Sequence, residues 1–205
     1  EDLNSSLDRT VDRIRSREAV VAVMGLGYVG LPLALAFVEA GFHVIGIDTD
    51  ETRVVGLNAG RSHVSDVSDN QLAAAGLKQS MLPGGNKTAS AGLLPHSLEP
   101  SYRQKSGCLE ATTDLDVLSH VDAVIVCVPT PLSKGKDPDM TAVISATDAI
   151  ASHLHPGMVV VLESTTYPGT TEEIVLPRLE HQTKGGQTMK AGVDFFLSFS
   201  PERID

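Results

Sequence analysis

The chain has 205 residues, 41% of them hydrophobic, and its 26 acidic residues against 16 basic ones give a net charge of −10. This length and apolar content suit one soluble globular domain with a substantial core. An acidic surface disfavours nucleic acid and anionic membranes as partners, and no apolar run approaches the roughly 20 residues that span a bilayer. The charged N-terminal stretch lacks a secretory signal pattern, and Cys108 and Cys127 are too few for a disulfide framework, so we expect a cytoplasmic protein.

The start of the chain has a helical pattern. Apolar residues recur every three or four positions among charged ones, at Leu3, Leu7, Val11 and Ile14. This spacing predicts a short amphipathic helix that lies against the domain as a brace. We assign residues 1–18 to this helix and residues 19–205 to one domain.

A strand, a glycine turn and a helix follow in direct succession. Val20–Met24 is an apolar, mostly β-branched run that predicts a strand buried on both faces, and residues 31–40 read as an apolar helix. Between them, Gly25 permits a tight turn, Gly27 lets the backbone approach a pyrophosphate, and Gly30 allows the helix to pack on the strand. The free N–H groups and partial positive charge of the helix end favour a phosphate there. The sequence therefore predicts a dinucleotide site.

A carboxylate completes this pattern. The next apolar strand ends on Asp48, 18 residues after Gly30. Asp48 can accept both ribose hydroxyls of an adenosine, an interaction of about 1.5–3 kcal/mol, and it repels a 2′-phosphate, which favours NAD over NADP. Arg53 either weakens that preference or stacks on the adenine. The alternative is a surface aspartate that caps a helix at residues 52–58.

Residues 76–107 interrupt the regular pattern. They contain scattered proline, glycine and serine and show neither helical nor strand periodicity. Loops this long without structure of their own are uncommon in compact domains. We therefore expect an inserted, mobile surface loop outside the core.

Alternating strands and helices resume after this insert. We expect strands at 109–113, 123–128, 158–162 and 195–199, with helices at 115–120, from 138 to about 154, and from 171 to about 179. Asp137 is the expected N-cap of the second helix, with Pro138 at its first position. A capping box of Thr170 and Glu173 starts the third helix, which Pro177 kinks or interrupts. Six strands alternating with helices predict an α/β fold, a Rossmann-type doubly wound parallel sheet in the order 3-2-1-4-5-6.

Ligands of such sheets bind outside the carboxyl ends of the strands, so the loops there should converge on one crevice. Four of these segments also carry a resemblance: 25–34, 127–132, 163–171 and 198–205 resemble the UDP-glucose/GDP-mannose dehydrogenase family. The sequences of segments 163–171 and 198–205 resemble the branch of this family that acts on UDP-N-acetylglucosamine or UDP-N-acetylmannosamine. The resemblance covers nearly the whole chain except the insert at 76–107.

The resemblance implies an NAD-dependent 6-dehydrogenase that oxidises the C6 alcohol of a UDP-sugar to the aldehyde and then to the carboxylate, with two NAD, in polysaccharide biosynthesis. It implies that Thr165 positions the water or oxygen at the reacting carbon, that Glu202 is an acid/base or water-activating residue, and that Glu202 and Arg203 contact the substrate. The non-catalytic alternative for Thr165 is a loop hydroxyl that hydrogen-bonds to the backbone. For Glu202 it is a solvent-exposed loop carboxylate. The expected cofactor-binding residues are Gly25, Gly27, Tyr28, Val29, Gly30, Asp48, Arg53, Val128, Pro129, Thr130, Ser164 and Thr165.

The covalent step of the family uses a cysteine in its C-terminal half, and no motif of that half is present. Cys127 follows apolar strand residues and is expected to be inert in the core, and Cys108 has no evident base nearby in sequence. We therefore expect the cofactor domain of a larger enzyme, inactive alone, whose missing region binds most of the UDP-sugar; the resemblance implies that the full-length enzyme is a homodimer. No metal site is expected, because His153 and His155 face different sides of a helix.

Two other functions remain open from the sequence. One is the cofactor domain of a 3-hydroxyacid dehydrogenase, which also opens with a strand, glycine turn and helix. The other is a non-catalytic module that senses NAD.

Overall fold

The computed structural model describes residues 3–76, 107–132, 138–181 and 188–200, and these residues build one six-stranded sheet. All its strand pairs are parallel, and the order is β3-β2-β1-β4-β5-β6. The strands are β1 (Val20–Met24), β2 (His43–Ile47), β3 (Cys108–Thr112), β4 (Ala123–Val126), β5 (Val159–Leu162) and β6 (Phe196–Phe199). The predicted fold class and strand order are confirmed.

Helices cover both faces of this sheet. They are α1 (Leu3–Ser16), α2 (Gly30–Glu39), α3 (Glu51–Asn58), α4 (Asp69–Ala74), α5 (Thr141–His153) and α6 (Leu176–His181), with a 3-10 helix at Asp116–His120 and a π-helical turn at Thr171–Val175. One core lies between the sheet and α2, α3 and α4, and the other between the sheet and α5, α6 and the 3-10 helix. β1 and β2 are buried along their whole length, as their apolar runs require.

Helix α1 is anchored to the amino-terminal edge of the sheet. The Thr10 hydroxyl donates to the Gly157 carbonyl oxygen at 3.0 Å, and an Arg13 guanidinium nitrogen lies 2.7 Å from Asp122 Oδ1. Asp122 Oδ2 also accepts a hydrogen bond from the Val20 backbone N–H. These contacts match the expected role of this helix as a brace.

One predicted helix start is wrong. Helix α5 begins at Thr141, because Pro138 pairs with Leu132 in an isolated antiparallel bridge. Asp139 accepts the Thr141 backbone N–H at 2.9 Å, and hydrogen bonds from the hydroxyl and then the N–H of Thr141 lower the pKa of Asp139. The predicted N-cap, Asp137, lies outside the described residues.

The helical segment predicted from 171 does begin at Thr171, with Thr170 at the N-cap position, but the predicted capping box is absent. The Thr170 hydroxyl donates back to the Tyr167 carbonyl oxygen at 2.8 Å and does not cap the helix. A π-helical turn follows instead, and regular α-helix resumes with Pro177 in its first turn. A proline is tolerated there because first-turn N–H groups need no partner within the helix. The change from the π-helical turn to α-helix just before Pro177 confirms the expected interruption.

The insert falls mostly outside the described residues. Its end residues, Gly76 and Gly107, have φ angles of 77° and 72°, and the expected mobility of the segment between them stays a prediction. Among the described helices, none has the length and apolar character needed to cross a membrane.

Candidate functional site

A crevice of about 950 Å³ opens at the carboxyl ends of β1, β2, β4 and β5. Its size falls within the range of small-molecule and cofactor sites. The predicted cofactor residues that line it are Gly25, Gly27, Tyr28, Val29, Asp48, Arg53, Val128, Pro129, Thr130, Ser164 and Thr165. Gly30 does not line it and is buried at the start of α2. The predicted convergence is thus present for the loops after β1, β2, β4 and β5, whereas residues 201–203, after β6, lie outside the described residues.

The three glycines of the first turn have different surroundings. Gly25 has a φ of +92°, and a Cβ there would lie 2.6 Å from the Cys127 carbonyl oxygen. A Cβ on Gly30 would overlap the Gly25 carbonyl oxygen. At Gly27, by contrast, no atom of the described residues lies within 4 Å of the Cβ position. Gly25 and Gly30 therefore lie where close packing leaves no room for a side chain, whereas Gly27 leaves space for a ligand against the backbone.

The start of α2 borders the space above Gly27. No side chain forms a capping hydrogen bond at its N-cap, Val29. The first N–H groups of a helix have no partner within it, and the helix dipole places partial positive charge at the same end. This end of α2 is therefore suited to an anionic group such as a pyrophosphate.

The Asp48 carboxylate organises the neighbouring wall. It is buried, with Oδ2 accepting the Leu26 N–H and Oδ1 accepting the Asp50 N–H, both at 2.9 Å. A carboxylate oxygen has two lone pairs, so each retains capacity for a ribose hydroxyl. The alternative in which Asp48 caps the next helix is wrong, because Asp50 is the N-cap of α3.

Arg53 lies between two carboxylates at the rim of the crevice. Its Nη1 is 3.6 Å from Asp48 Oδ2, and its Nε is 3.2 Å from Asp50 Oδ2. The side chain is 45% exposed. Its charge is therefore partly balanced by these aspartates, which lessens its value as a site for a 2′-phosphate.

Hydrogen bonds join the loops after β4 and β5. The Thr130 hydroxyl donates to the Thr165 carbonyl oxygen at 2.7 Å, and the buried Ser164 hydroxyl lies 2.8 Å from the Val128 carbonyl oxygen. Thr165 itself is exposed and lines the crevice. The hydroxyls of Ser164 and Thr130 thus fix the two loops, while Thr165 is exposed beside the crevice.

Some contacts and wall residues were missed by the sequence analysis. Next to the glycine turn, although not in the crevice wall, His63 Nε2 lies 2.8 Å from the Leu26 carbonyl oxygen, a contact across 37 positions that no local pattern indicates. Helix α5 contributes small residues at Ala142, Ser145, Ala146 and Ala149. These follow the i, i+3, i+4, i+7 spacing of one helix face, so this part of the wall could have been predicted.

The remaining residues discussed in the sequence analysis are Glu202, Arg203 and the two cysteines. Glu202 and Arg203 lie outside the described residues, and their roles stay predictions. Cys127 is buried in the core, as expected, and also borders the crevice. Cys108 begins β3 at the opposite edge of the sheet, and its Sγ lies 3.2 Å from Nδ1 of His43. A base therefore does lie beside Cys108, and only the pairing of β2 with β3 reveals it.

Known proteins are similar to this chain in architecture and in sequence. UDP-N-acetyl-D-glucosamine 6-dehydrogenase of Pseudomonas aeruginosa is 34% identical over 92% of this chain. UDP-N-acetyl-D-mannosamine dehydrogenase of Pyrococcus horikoshii is 31% identical over 90% of it. The chain spans 36% of the length of each of these relatives. The crystal structure of NDP-N-acetyl-D-galactosaminuronic acid dehydrogenase from Methanosarcina mazei superposes on this chain with a TM-score of 0.72 and a sequence identity of 28%. The match covers 100% of this chain and 38% of the dehydrogenase chain.

A family model adds the cofactor. The model for the NAD-binding domain of the UDP-glucose/GDP-mannose dehydrogenase family matches residues 19–91 and 87–205. The glycine turn, the uncapped end of α2 and the Asp48 carboxylate fit that cofactor. This chain therefore belongs to the UDP-glucose/GDP-mannose dehydrogenase family as its NAD-binding domain.

Proposed function

We propose that the chain is the cofactor domain of an NAD-dependent UDP-N-acetylhexosamine 6-dehydrogenase. The observation that carries the proposal is the single crevice where the glycine turn, Asp48 and the Thr165 loop meet. The substrate class is supported by relatives named for UDP-N-acetylglucosamine and UDP-N-acetylmannosamine. These names favour a nucleotide-sugar substrate over a 3-hydroxyacid.

The proposed reaction converts a primary alcohol to a carboxylate: R–CH2OH + H2O + 2 NAD⁺ → R–COO⁻ + 2 NADH + 3 H⁺. NAD, when bound, supplies the hydride acceptor for each oxidation. The N-terminal end of α2 binds its pyrophosphate, and Asp48 accepts the hydroxyls of its adenosine ribose. Thr165, exposed beside the crevice, orients the alcohol oxygen or water at C6, and Glu202 transfers a proton there. Arg203 contacts the substrate.

The native polypeptide that contains these residues tests the proposal. With UDP-N-acetylglucosamine or UDP-N-acetylmannosamine, the absorbance of NADH should show two NADH formed per sugar consumed. Thr165→Val should lower kcat at least tenfold while NAD still binds, and Thr166→Val, one position further in the same loop, is the matched control. NADH formation with a 3-hydroxyacid instead would contradict the substrate assignment. Binding of NAD without any oxidation of these sugars would favour a sensing module.

The remaining parts of the proposal concern the whole enzyme. We expect it to be a homodimer, to bind most of the UDP-sugar outside these residues, and to act in the cytoplasm. Light scattering on the native polypeptide tests the dimer. Binding of the UDP-sugar by residues 1–205 as tightly as by that polypeptide would contradict the second expectation.

A further inference from the structure

Three side chains of types that commonly ligate metals lie together near the amino-terminal ends of β2 and β3, away from the crevice. His43 and Cys108 are the first residues of β2 and β3 and are direct partners in the parallel register. Glu110 follows Cys108 by two positions, so it lies on the same face of β3. One ligand atom from each of the three lies within 4.8 Å of the others.

The separations suit a single ion with modest adjustment. Bond lengths to zinc of about 2.0–2.3 Å place tetrahedral ligand atoms roughly 3.4–3.6 Å apart. The Cys108 Sγ to His43 Nδ1 distance is 3.2 Å, already close to that spacing. The carboxylate of Glu110 stands at the end of a flexible side chain and can close the remaining gap.

The chemistry of the donors selects the kind of metal. An imidazole nitrogen, a thiol sulfur and a carboxylate oxygen form a mixed set that favours Zn²⁺ over Mg²⁺ and Ca²⁺, which prefer oxygen ligands. His43 is buried, whereas Cys108 and Glu110 are half-buried, so an ion can enter from the surface. Three protein ligands leave a fourth position for water.

We propose that His43, Cys108 and Glu110 form a zinc site that ties β2 to the edge strand β3. Binding replaces the thiol proton by the metal: Cys–SH + Zn²⁺ → Cys–S–Zn⁺ + H⁺. Five extended residues, about 16 Å, separate His43 from Asp48, so the ion does not reach the NAD crevice. Its consequence is stability, because a metal bound to the folded state alone raises the melting temperature.

Cobalt(II) is the probe for the test, because Zn²⁺ has a filled d shell and no visible spectrum. Added to the reduced 205-residue chain, Co²⁺ should give a sulfur-to-cobalt charge-transfer band and tetrahedral d–d bands that saturate at one equivalent and vanish on adding Zn²⁺. Cys108→Ser should remove the charge-transfer band, and Cys127→Ala is the control that retains it. Zn²⁺ should raise the Tm of the wild-type chain by several degrees and leave that of Cys108→Ser unchanged.

Two further variants keep the test independent of folding. Glu110→Gln retains the shape of the side chain and should weaken Co²⁺ at least tenfold, whereas His155→Gln, at another position of the chain, should not. NAD affinity should stay unchanged in Glu110→Gln, which shows that it is folded. A spectrum without a charge-transfer band, a band that persists in Cys108→Ser, or full Co²⁺ affinity in Glu110→Gln would each overturn the site and leave a hydrogen-bonded cluster only.

Discussion

Asp48 has two tasks at once, and its contacts separate them. One is structural, because its oxygens hold the Leu26 and Asp50 N–H groups. The other is the proposed recognition of the ribose, for which the same oxygens retain acceptor capacity. We expect NAD to bind more tightly than NADP, since a 2′-phosphate would meet this buried carboxylate.

The first prediction follows from that arrangement. Asp48→Ala should weaken NAD binding by about 1.5–3 kcal/mol, roughly one to two decades in Kd. Titration calorimetry with NAD and NADP measures both effects, and Asp66→Ala, an exposed aspartate of the loop before α4, is the control. Equal affinity for the two cofactors would contradict the role assigned to Asp48.

The glycines of the first turn give a second prediction, based on the space around each. Gly27→Ala should leave the Tm near that of the wild-type chain, because its Cβ position meets no described atom within 4 Å. It should weaken NAD at least tenfold, because the methyl group occupies the approach to the pyrophosphate. Gly25→Ala should instead lower the Tm, because its methyl group meets the Cys127 carbonyl oxygen at 2.6 Å. Wild-type affinity for NAD in Gly27→Ala would show that the cofactor lies elsewhere.

At the scale of elements, α1 and the sheet are joined through one buried carboxylate. Asp122 is 9% exposed and contacts both Arg13 and the Val20 N–H. Its loss leaves a strand donor and a guanidinium without this partner.

A third prediction tests that connection. Asp122→Ala should lower the free energy of unfolding by about 1–3 kcal/mol, the cost of leaving a buried donor unsatisfied. Asp122→Asn retains an acceptor and should recover part of that loss. Urea denaturation measures both, and Asp66→Ala serves as the exposed control. Equal stability of the alanine variant and the wild-type chain would mean that α1 contributes no bracing through Asp122.

The same scale shows what local patterns can predict. Apolar runs and the glycine turn predict the strands and their order, because burial on both faces leaves few topologies for such segments. Helix starts are harder: the Asp-Pro signal at 137–138 was overridden by pairing of Pro138 with Leu132 across the loop. The contacts of His63 with the first turn and of His43 with Cys108 join residues 37 and 65 positions apart, so they depend on tertiary packing alone.

For the whole molecule, backbone N–H groups explain how an acidic chain can bind a negatively charged cofactor. A chain with a net charge of −10 binds a dinucleotide with two phosphates. Neutral N–H groups at the glycine turn and the start of α2 can hold those phosphates without a basic surface. The binding elements therefore lie within residues 19–205, which the NAD-binding family model spans.

The last prediction separates binding from turnover. Residues 1–205 should bind NAD but give no steady NADH with UDP-N-acetylglucosamine. The sugar must be held in a near-attack position, which is worth several kcal/mol, and the match to a relative named for such a sugar covers only 36% of that relative's length. The second oxidation, as the resemblance implies, also needs a thiolate that traps the aldehyde, yet Cys127 is buried in the core and Cys108 lies at the opposite edge of the sheet.

The absorbance of NADH, followed with saturating cofactor and sugar, measures turnover, and titration calorimetry on the same sample measures NAD binding. Binding without turnover is the expected result, because we expect the crevice to hold the cofactor, whereas Cys127, the cysteine that borders it, is buried in the core. Cys108→Ser should leave NAD affinity unchanged, since that residue begins β3 about 16 Å from the crevice end of the strand pair. Sustained NADH production by these 205 residues would show that the crevice already contains a complete active site and that Thr165 and its neighbours suffice for both oxidations.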